Sequence, residues 1–357
     1  MTIIVLVVVV LGFALLERKW AEYALKSLMF HARWDRLLAE PDQPVTQSVT
    51  VENHSRLTIP FVRLVLSYPD DAKPVGDKRW QKQHYRSNIL SWNAEYRMTL
   101  RGRRSVTKQV STAFDRRGVY QVGGYHLSAG DLLGFREVKC HGDGKHIVVM
   151  PRHSGQKVAL DAVGGFIGDV SVKRCILEDP ILTTGFRDYT GREPMRAISW
   201  TRTAQAGALQ VKQYDYTAEQ HIVVLLNVEG ADEQQFEECL RLTRSVCEKL
   251  EQQKIPYGFR TNGNLPGPVG KITSMVEGLG EQHLNTILYG LGSADGTCFH
   301  SFRYAVRQAL RARKSSEAYI VITPDDQGSV NACVQELCSA AGASVCVLYG
   351  CREVDAL

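Results

Sequence analysis

HIVVLLNVEGADEQQFEECLRLTRSVCEKL, residues 221–250, sets the fold of the C-terminal half of the chain. Residues 221–228 form a continuous apolar run, the pattern of a strand covered on both faces. In the next twenty or so residues, Phe236, Cys239, Leu240, Thr243, Cys247 and Leu250 share one face of a helix. A two-sided strand feeding an amphipathic helix is the unit of an α/β sheet.

The same alternation continues downstream. A second strand is expected over residues 257–260 and a helix around 282–289, followed by a helix aligning Phe299, Phe302, Val306, Ala309 and Leu310. Residues 318–322 read as a strand, 330–341 as a helix and 344–348 as a last strand. Strands alternating with helices imply a parallel, doubly wound sheet. No repeat of 20–50 residues is present, which excludes a solenoid.

Upstream the period changes from 3.6 to 2. Val45, Val49 and Val51 alternate with Thr46, Ser48 and Thr50, and residues 61–66 read as a second strand. Val106, Val110 and Phe114 mark a third, and Tyr120 and Val122 a fourth after the Arg116-Arg117-Gly118 turn. Short alternating strands broken by Gly, Asn and Asp predict a β-sandwich. From Val158 onward, closely spaced Gly164, Gly165 and Gly168 read as a linker.

The first sixteen residues, MTIIVLVVVVLGFALL, carry no charged side chain. As a helix they reach about 24 Å, just short of a hydrocarbon core of about 30 Å. Trp20 and Tyr23 supply interfacial anchors. A cleaved signal peptide would want basic residues before the run and a small-residue cleavage site after it, and the chain has neither. A transmembrane helix is therefore expected, continuing as a juxtamembrane helix to Leu38 and ending before Pro41 and Pro44. Arg18, Lys19, Lys26, Arg33 and Arg36 follow the run, so the positive-inside rule places the remaining domains in the cytoplasm of a single-pass membrane protein. The expected organisation is 1–38 membrane and juxtamembrane helix, 44–151 β-sandwich, 152–220 linker and Arg-rich segment, and 221–357 doubly wound α/β domain.

Composition excludes several classes. Hydrophobic content of 44% and charged content of 23% are those of a globular chain, and a net charge of +5 is too small for a nucleic-acid binder without a concentrated basic stripe. Nine cysteines without a CxxC motif fit reduced, buried thiols rather than a disulfide framework.

The segment GFRDYTGREPMRAISWTRTAQAGALQVKQY, residues 185–214, concentrates Arg187, Asp188, Tyr189, Arg192, Arg196, Trp200 and Arg202 between two apolar strands. Such side chains in a loop-like setting either fix a bend or meet a partner. The segment resembles the signature of the domain of unknown function 58 family, R-E-Y … G-D … R-x-I-x-W … A-R. Arg187, Tyr189, Gly191, Arg196, Ile198 and Trp200 carry the likeness; Asp188 replaces Glu, Arg192 replaces Asp and Gln205 replaces the final Arg. The RRGVY of residues 116–120 and the DLLGF of 131–135 also resemble that family. The resemblance implies that the last domain is similar to a von Willebrand factor A domain. It also implies a MoxR-type AAA+ ATPase as partner and a non-enzymatic, membrane-anchored adaptor as function, with other membrane proteins as further partners. Arg187, Asp188, Tyr189, Gly191, Arg196, Ile198 and Trp200 are then the candidate binding residues. The bland alternative is that Arg187, Asp188, Arg196 and Trp200 staple the two domains through ion pairs and a buried indole.

Von Willebrand-type domains hold a divalent cation with D-x-S-x-S at the end of the first strand, because a hard cation wants carboxylate and hydroxyl oxygens there. The corresponding residues are Asn227, Glu229 and Ala231, with Asp325 or Asp326 as a carboxylate from another loop. Asn227, Glu229 and Asp325 form a degenerate candidate site for Mg²⁺, and a metal-dependent ligand-binding domain is the alternative function; otherwise no cofactor is expected. Residues 267–273 imitate a phosphate loop but have Leu265 for its first Gly and Ile272 for its Ser or Thr. Cys140, His141 and His146 lack a fourth zinc ligand, and no G-x-S-x-G elbow is present. Two basic groups remain: Arg101, Arg103, Arg104 and Lys108 near a strand, and Arg303, Arg307, Arg311 and Lys314 along one helix face. Each is a solvated face or a docking face for an acidic partner or anionic lipid.

Overall fold

A computed structural model describes residues 12, 19, 23, 26–76, 80–84, 90–130, 137–174, 183–191, 193–214, 221–312, 317–324, 328–341 and 344–350. The chain divides into two compact units, Met1–Arg152 and His153–Leu357.

The first unit is built of β-strands. Strands β1 (Leu28–Trp34), β2 (Leu38–Ala39), β3 (Val45–Asn53), β4 (Ile59–Pro69) and β5 (Lys73–Val75) are followed by β6 (Trp80–His84), β7 (Leu90–Leu100) and β8 (Ser105–Ala113). Then come β9 (Gly118–Val122), β10 (Gly124–Gly130), β11 (Glu137–Gly142) and β12 (Lys145–Val149). They form sheets ordered β1-β3-β8-β5, β11-β10-β4-β7-β6 and β2-β12-β9. In β3 every second residue from Val45 to Asn53 is buried, as a half-covered strand requires. Val45, Val49 and Val51 share one core with Leu64 and Leu66 of β4, Tyr96 and Leu100 of β7, and Phe114.

The expected transmembrane helix and its juxtamembrane continuation are corrected here. No helix among the described residues is long and apolar enough to cross a membrane. Leu28–Trp34 is a strand paired antiparallel with β3 from Leu28↔Asn53 to Trp34↔Gln47. Its ends, Leu28 and Trp34, enter the core, and Phe30 and Ala32 pack against it, a period of two that reading the stretch as a helix concealed. Most of the first sixteen residues lie outside the described residues. No described helix supports the expected single-pass anchoring or the membrane localisation drawn from it.

The second unit contains α1 (Lys157–Arg174), β13 (Thr183–Asp188), a 3₁₀ turn (Met195–Ala197), α2 (Trp200–Ala206) and β14 (Gln210–Tyr214). They precede β15 (His221–Leu226), α3 (Glu233–Gln252), β16 (Tyr257–Thr261), β17 (Pro266–Gly267), β18 (Gly270–Lys271) and β19 (Ser274–Gly278). After these come α4 (Glu281–Ser293), α5 (Phe302–Arg311), β20 (Glu317–Thr323), α6 (Gly328–Ala341) and β21 (Val345–Tyr349). The main sheet runs β19-β16-β15-β20-β21. β15 lies between β16 and β20, parallel to both, β21 is parallel to β20, and β19 is an antiparallel edge.

Helix α3 starts at a capping box: Gln235 N donates to Asp232 Oδ1 at 2.7 Å, and Asp232 N to Gln235 Oε1 at 3.1 Å. Val223 and Leu225 of β15 pack with Phe302, Val306 and Ala309 of α5 and with Leu337 of α6. Residues 157–174, read as a linker from their glycines, form α1 instead. A Cβ on Gly164 would stand 2.9 Å from Nζ at the far end of the Lys249 side chain of α3.

Candidate functional site

The Arg-rich segment is a small module: a two-stranded antiparallel sheet of β13 and β14 with the 3₁₀ turn and α2 between its strands. Its register runs from Thr183↔Tyr214 to Asp188↔Gln210, and Ile198 adds a bridge to Val211. Ser199 N donates to Gln210 O at 2.8 Å, and Gln210 N donates to Thr203 Oγ1 at 3.0 Å, which folds α2 back onto β14. Gly207, at φ 70°, ends α2 in the left-handed conformation that favours glycine, its N–H reaching Thr203 O at 3.0 Å.

The candidate residues separate into two groups. Arg187 Nη1 lies 2.8 Å from Glu193 Oε1. The same carboxylate accepts from Thr190 Oγ1 at 2.8 Å and from Thr190 N at 3.1 Å. The Thr190 hydroxyl foremost, then the backbone N–H groups of Glu193 and Thr190 and the Arg187 charge, pull the Glu193 carboxyl down to about 2. Gln210 Nε2 donates to Asp188 Oδ1, and Tyr189 N to Leu209 O at 2.8 Å. Gly191 sits in the same turn at φ 85°. Arg187, Asp188, Tyr189 and Gly191 therefore shape the turn that leaves β13.

The second group looks outward. Ile198 is buried, whereas Trp200 is 61% and Met195 67% exposed. Phe186 and Leu209 are also exposed. The Arg202 guanidinium lies 5.1 Å from the Phe186 ring centroid, a cation–π contact. Arg196 is exposed in the 3₁₀ turn, and Arg192 lies outside the described residues. Glu193, Met195, Phe186 and Leu209 were missed as site residues. Their roles depend on which face of a hairpin they occupy, and the strand register sets that face.

The C-terminal ends of the parallel strands hold Asn227 and Glu229. Asn227 is 1% exposed. Its Oδ1 accepts from Glu229 N at 3.0 Å and from Asn262 Nδ2 at 2.8 Å, while its Nδ2 donates to Thr323 Oγ1 at 3.1 Å. Asn262 Oδ1 in turn accepts from Val228 N at 3.0 Å. The network ties together the ends of β15, β16 and β20. Glu229 Oε2 accepts from Phe302 N at 2.6 Å, capping the first turn of α5, which has no acid of its own.

The described members of this donor set, Asn227 and Glu229, are already engaged by protein N–H donors. The Asn227 oxygen accepts from two N–H donors, one Glu229 carboxylate oxygen caps a helix terminus, and Ala231 offers no side-chain oxygen. Asp325 and Asp326 lie outside the described residues. Among the described residues no three His, Cys, Asp or Glu side chains gather to hold a metal. The stretch that imitates a phosphate loop is the β17–β18 hairpin, whose backbone pairs with itself.

No family model matches the chain, and no curated protein matches it. Solved structures give partial likenesses. A CARDB domain from Pyrococcus furiosus, at 12% identity and a TM-score of 0.22, covers 34% of this chain and 91% of its own. The native conformation of E. coli alpha-2-macroglobulin, at 12% identity and a TM-score of 0.26, covers 35% of this chain and 9% of its own. A sporulation control protein from Bacillus subtilis, at 12% identity and a TM-score of 0.19, covers 46% and 58%. Likenesses this low assign neither fold nor function.

Proposed function

We propose that the chain is a non-enzymatic adaptor that docks a partner protein through the β13–β14–α2 module. One observation carries this reading: Trp200, Met195, Phe186 and Leu209 are all exposed in one short module, in which Ile198 and Val211 are buried. Trp, Met and Arg are the residue types enriched at protein interfaces, and a central Trp is the commonest energetic anchor. Arg187, Thr190 and Glu193 hold the turn that presents this surface. The resemblance to the domain of unknown function 58 family names a MoxR-type AAA+ ATPase as the partner. The adaptor couples that ATPase to a client.

The experiment is titration of the full-length chain against a purified MoxR-type ATPase, with and without nucleotide. Saturable binding weakened about 30-fold by Trp200→Ala, the loss of about 2 kcal/mol expected of an interface anchor, supports the reading. Absence of binding, or turnover of a substrate by the chain alone, contradicts it.

A further inference from the structure

Helix α5 carries Arg303, Arg307 and Arg311 at four-residue spacing, opposite its buried Phe302, Ala305, Val306 and Ala309. This spacing sets three guanidinium-bearing side chains along one stripe, about 6 Å apart along the axis. Arg303 Nε lies 3.7 Å from Glu336 Oε2, and Arg307 Nε lies 3.5 Å from Glu336 Oε1. One carboxylate is thus shared between two cations, both contacts longer than a hydrogen bond, with the arginines 64% and 54% exposed. Glu336 is the one ion-pair partner of the stripe among the described residues.

Helix stability accounts for only part of this arrangement. The macrodipole favours Arg311 in the last turn but disfavours Arg303 in the first, where the helix already depends on Glu229 from another loop for its cap. Like charges four residues apart on a helix also repel. Beside the stripe, Tyr304 is 46% exposed, and its ring centroid lies 4.7 Å from that of His300. Phe299, also exposed, lies under Lys271 Nζ at 4.0 Å. The surface is basic with aromatic side chains, and among the described residues its three arginines share one ion-paired carboxylate.

We propose that the α5 stripe docks an extended acidic polypeptide segment. Alternate residues of an extended chain recur every 6.6 Å or so, close to the axial step of the arginines. Carboxylates at every second position would therefore meet Arg303, Arg307 and Arg311 in turn, displacing Glu336 and relieving the repulsion along the helix.

The test is fluorescence anisotropy of a labelled ten-residue peptide of alternating Glu and Ser titrated with the full-length chain, beside a peptide with Gln for Glu. Binding of the Glu peptide alone, weakened by salt and lost by about ten-fold or more in an Arg303→Glu, Arg307→Glu variant, is expected. Glu336→Gln removes the internal competitor and should tighten binding about two- to five-fold, a gain that misfolding cannot imitate. Equal binding of both peptides, or no tightening in Glu336→Gln, overturns the proposal. So does binding to phosphatidylserine–phosphatidylcholine vesicles without binding to the Glu peptide, which would make the stripe a lipid contact.

Discussion

Arg244 and Glu248 form an ion pair one turn apart on α3, with Arg244 Nε 2.8 Å from Glu248 Oε1 and the arginine side chain only 1% exposed. His153, the first residue of the second unit, joins them. Its Nε2 lies 3.2 Å from Arg244 Nη2 and its Nδ1 3.1 Å from Glu248 Oε2. A guanidinium only donates, so Nε2 accepts and the Nδ1–H donates to the carboxylate. Ser154 continues the docking, its N–H donating to Ser245 Oγ at 3.0 Å and its hydroxyl to Glu238. Polar side chains on α3 thereby fix where the second unit begins.

Glu248 accepts from the buried Arg244 guanidinium and from His153, so removing its carboxylate takes a partner from each. Glu248→Ala should destabilise the second unit by about 3 kcal/mol. The double variant Arg244→Leu, Glu248→Leu should lose less than the single one, because it removes the buried guanidinium together with its carboxylate. Hydrogen exchange of the α3 amides checks both. Equal protection in Glu248→Ala and the unsubstituted chain would show that the pair contributes nothing.

Glu193 makes the hairpin module sensitive to acid. Its carboxyl is depressed from 4.5 to about 2, so its stabilising contacts are fully present above pH 4.5. They are lost as the pH falls through about 2. Glu193→Gln should remove that part of the pH dependence and, with it, the Arg187 ion pair that steadies the turn at neutral pH. NMR titration of the Glu193 carboxyl carbon reads it directly. Thr190→Val should move the midpoint upward, and an unmoved midpoint would show that the Thr190 hydroxyl is not the main cause.

Asn227 is predicted to be structural. Asn227→Ala leaves the Glu229 N–H, the Asn262 amide and the Thr323 hydroxyl each short of one partner, at about 1–3 kcal/mol for a buried group left unmade. Exchange protection at the ends of β15 and β20 should fall by that amount, with or without Mg²⁺. Stabilisation of the unsubstituted chain by millimolar Mg²⁺, absent in the variant, would restore a metal role to this edge.

Local and non-local residues differ in how far the sequence reveals them. Strand β15 is legible because it is covered on both faces and so carries a continuous apolar run. Helix α3 is legible because its buried face repeats every turn. The alternation of Val45, Val49 and Val51 shows β3 equally well. Leu28–Trp34 was hidden because seven residues beside an apolar terminus satisfy a helical face as easily as a period of two. Gly164, Gly165 and Gly168 suggested a linker by their close spacing alone, yet they lie within one helix.

The site follows the same division. Arg187 and Trp200 stand out by residue type, but their separation into a turn-shaping and an outward-facing group required the register of β13 on β14. Glu229 was legible as an acid at a strand end. Its use as the cap of α5 depends on a contact 73 residues away. The one local hint was that α5 begins without an acid in its first turn.

The central claim is that Trp200 and its neighbours on the β13–β14–α2 module form the partner contact. Affinity capture of the full-length chain from native extract after brief cross-linking, with mass spectrometric identification of the linked residues, tests it most directly. The account predicts an AAA+ ATPase cross-linked to residues 183–214, with recovery reduced by Trp200→Ala and by Arg187→Ala in variants that remain folded. An ATPase recovered equally with both variants, or no ATPase at all, would contradict it.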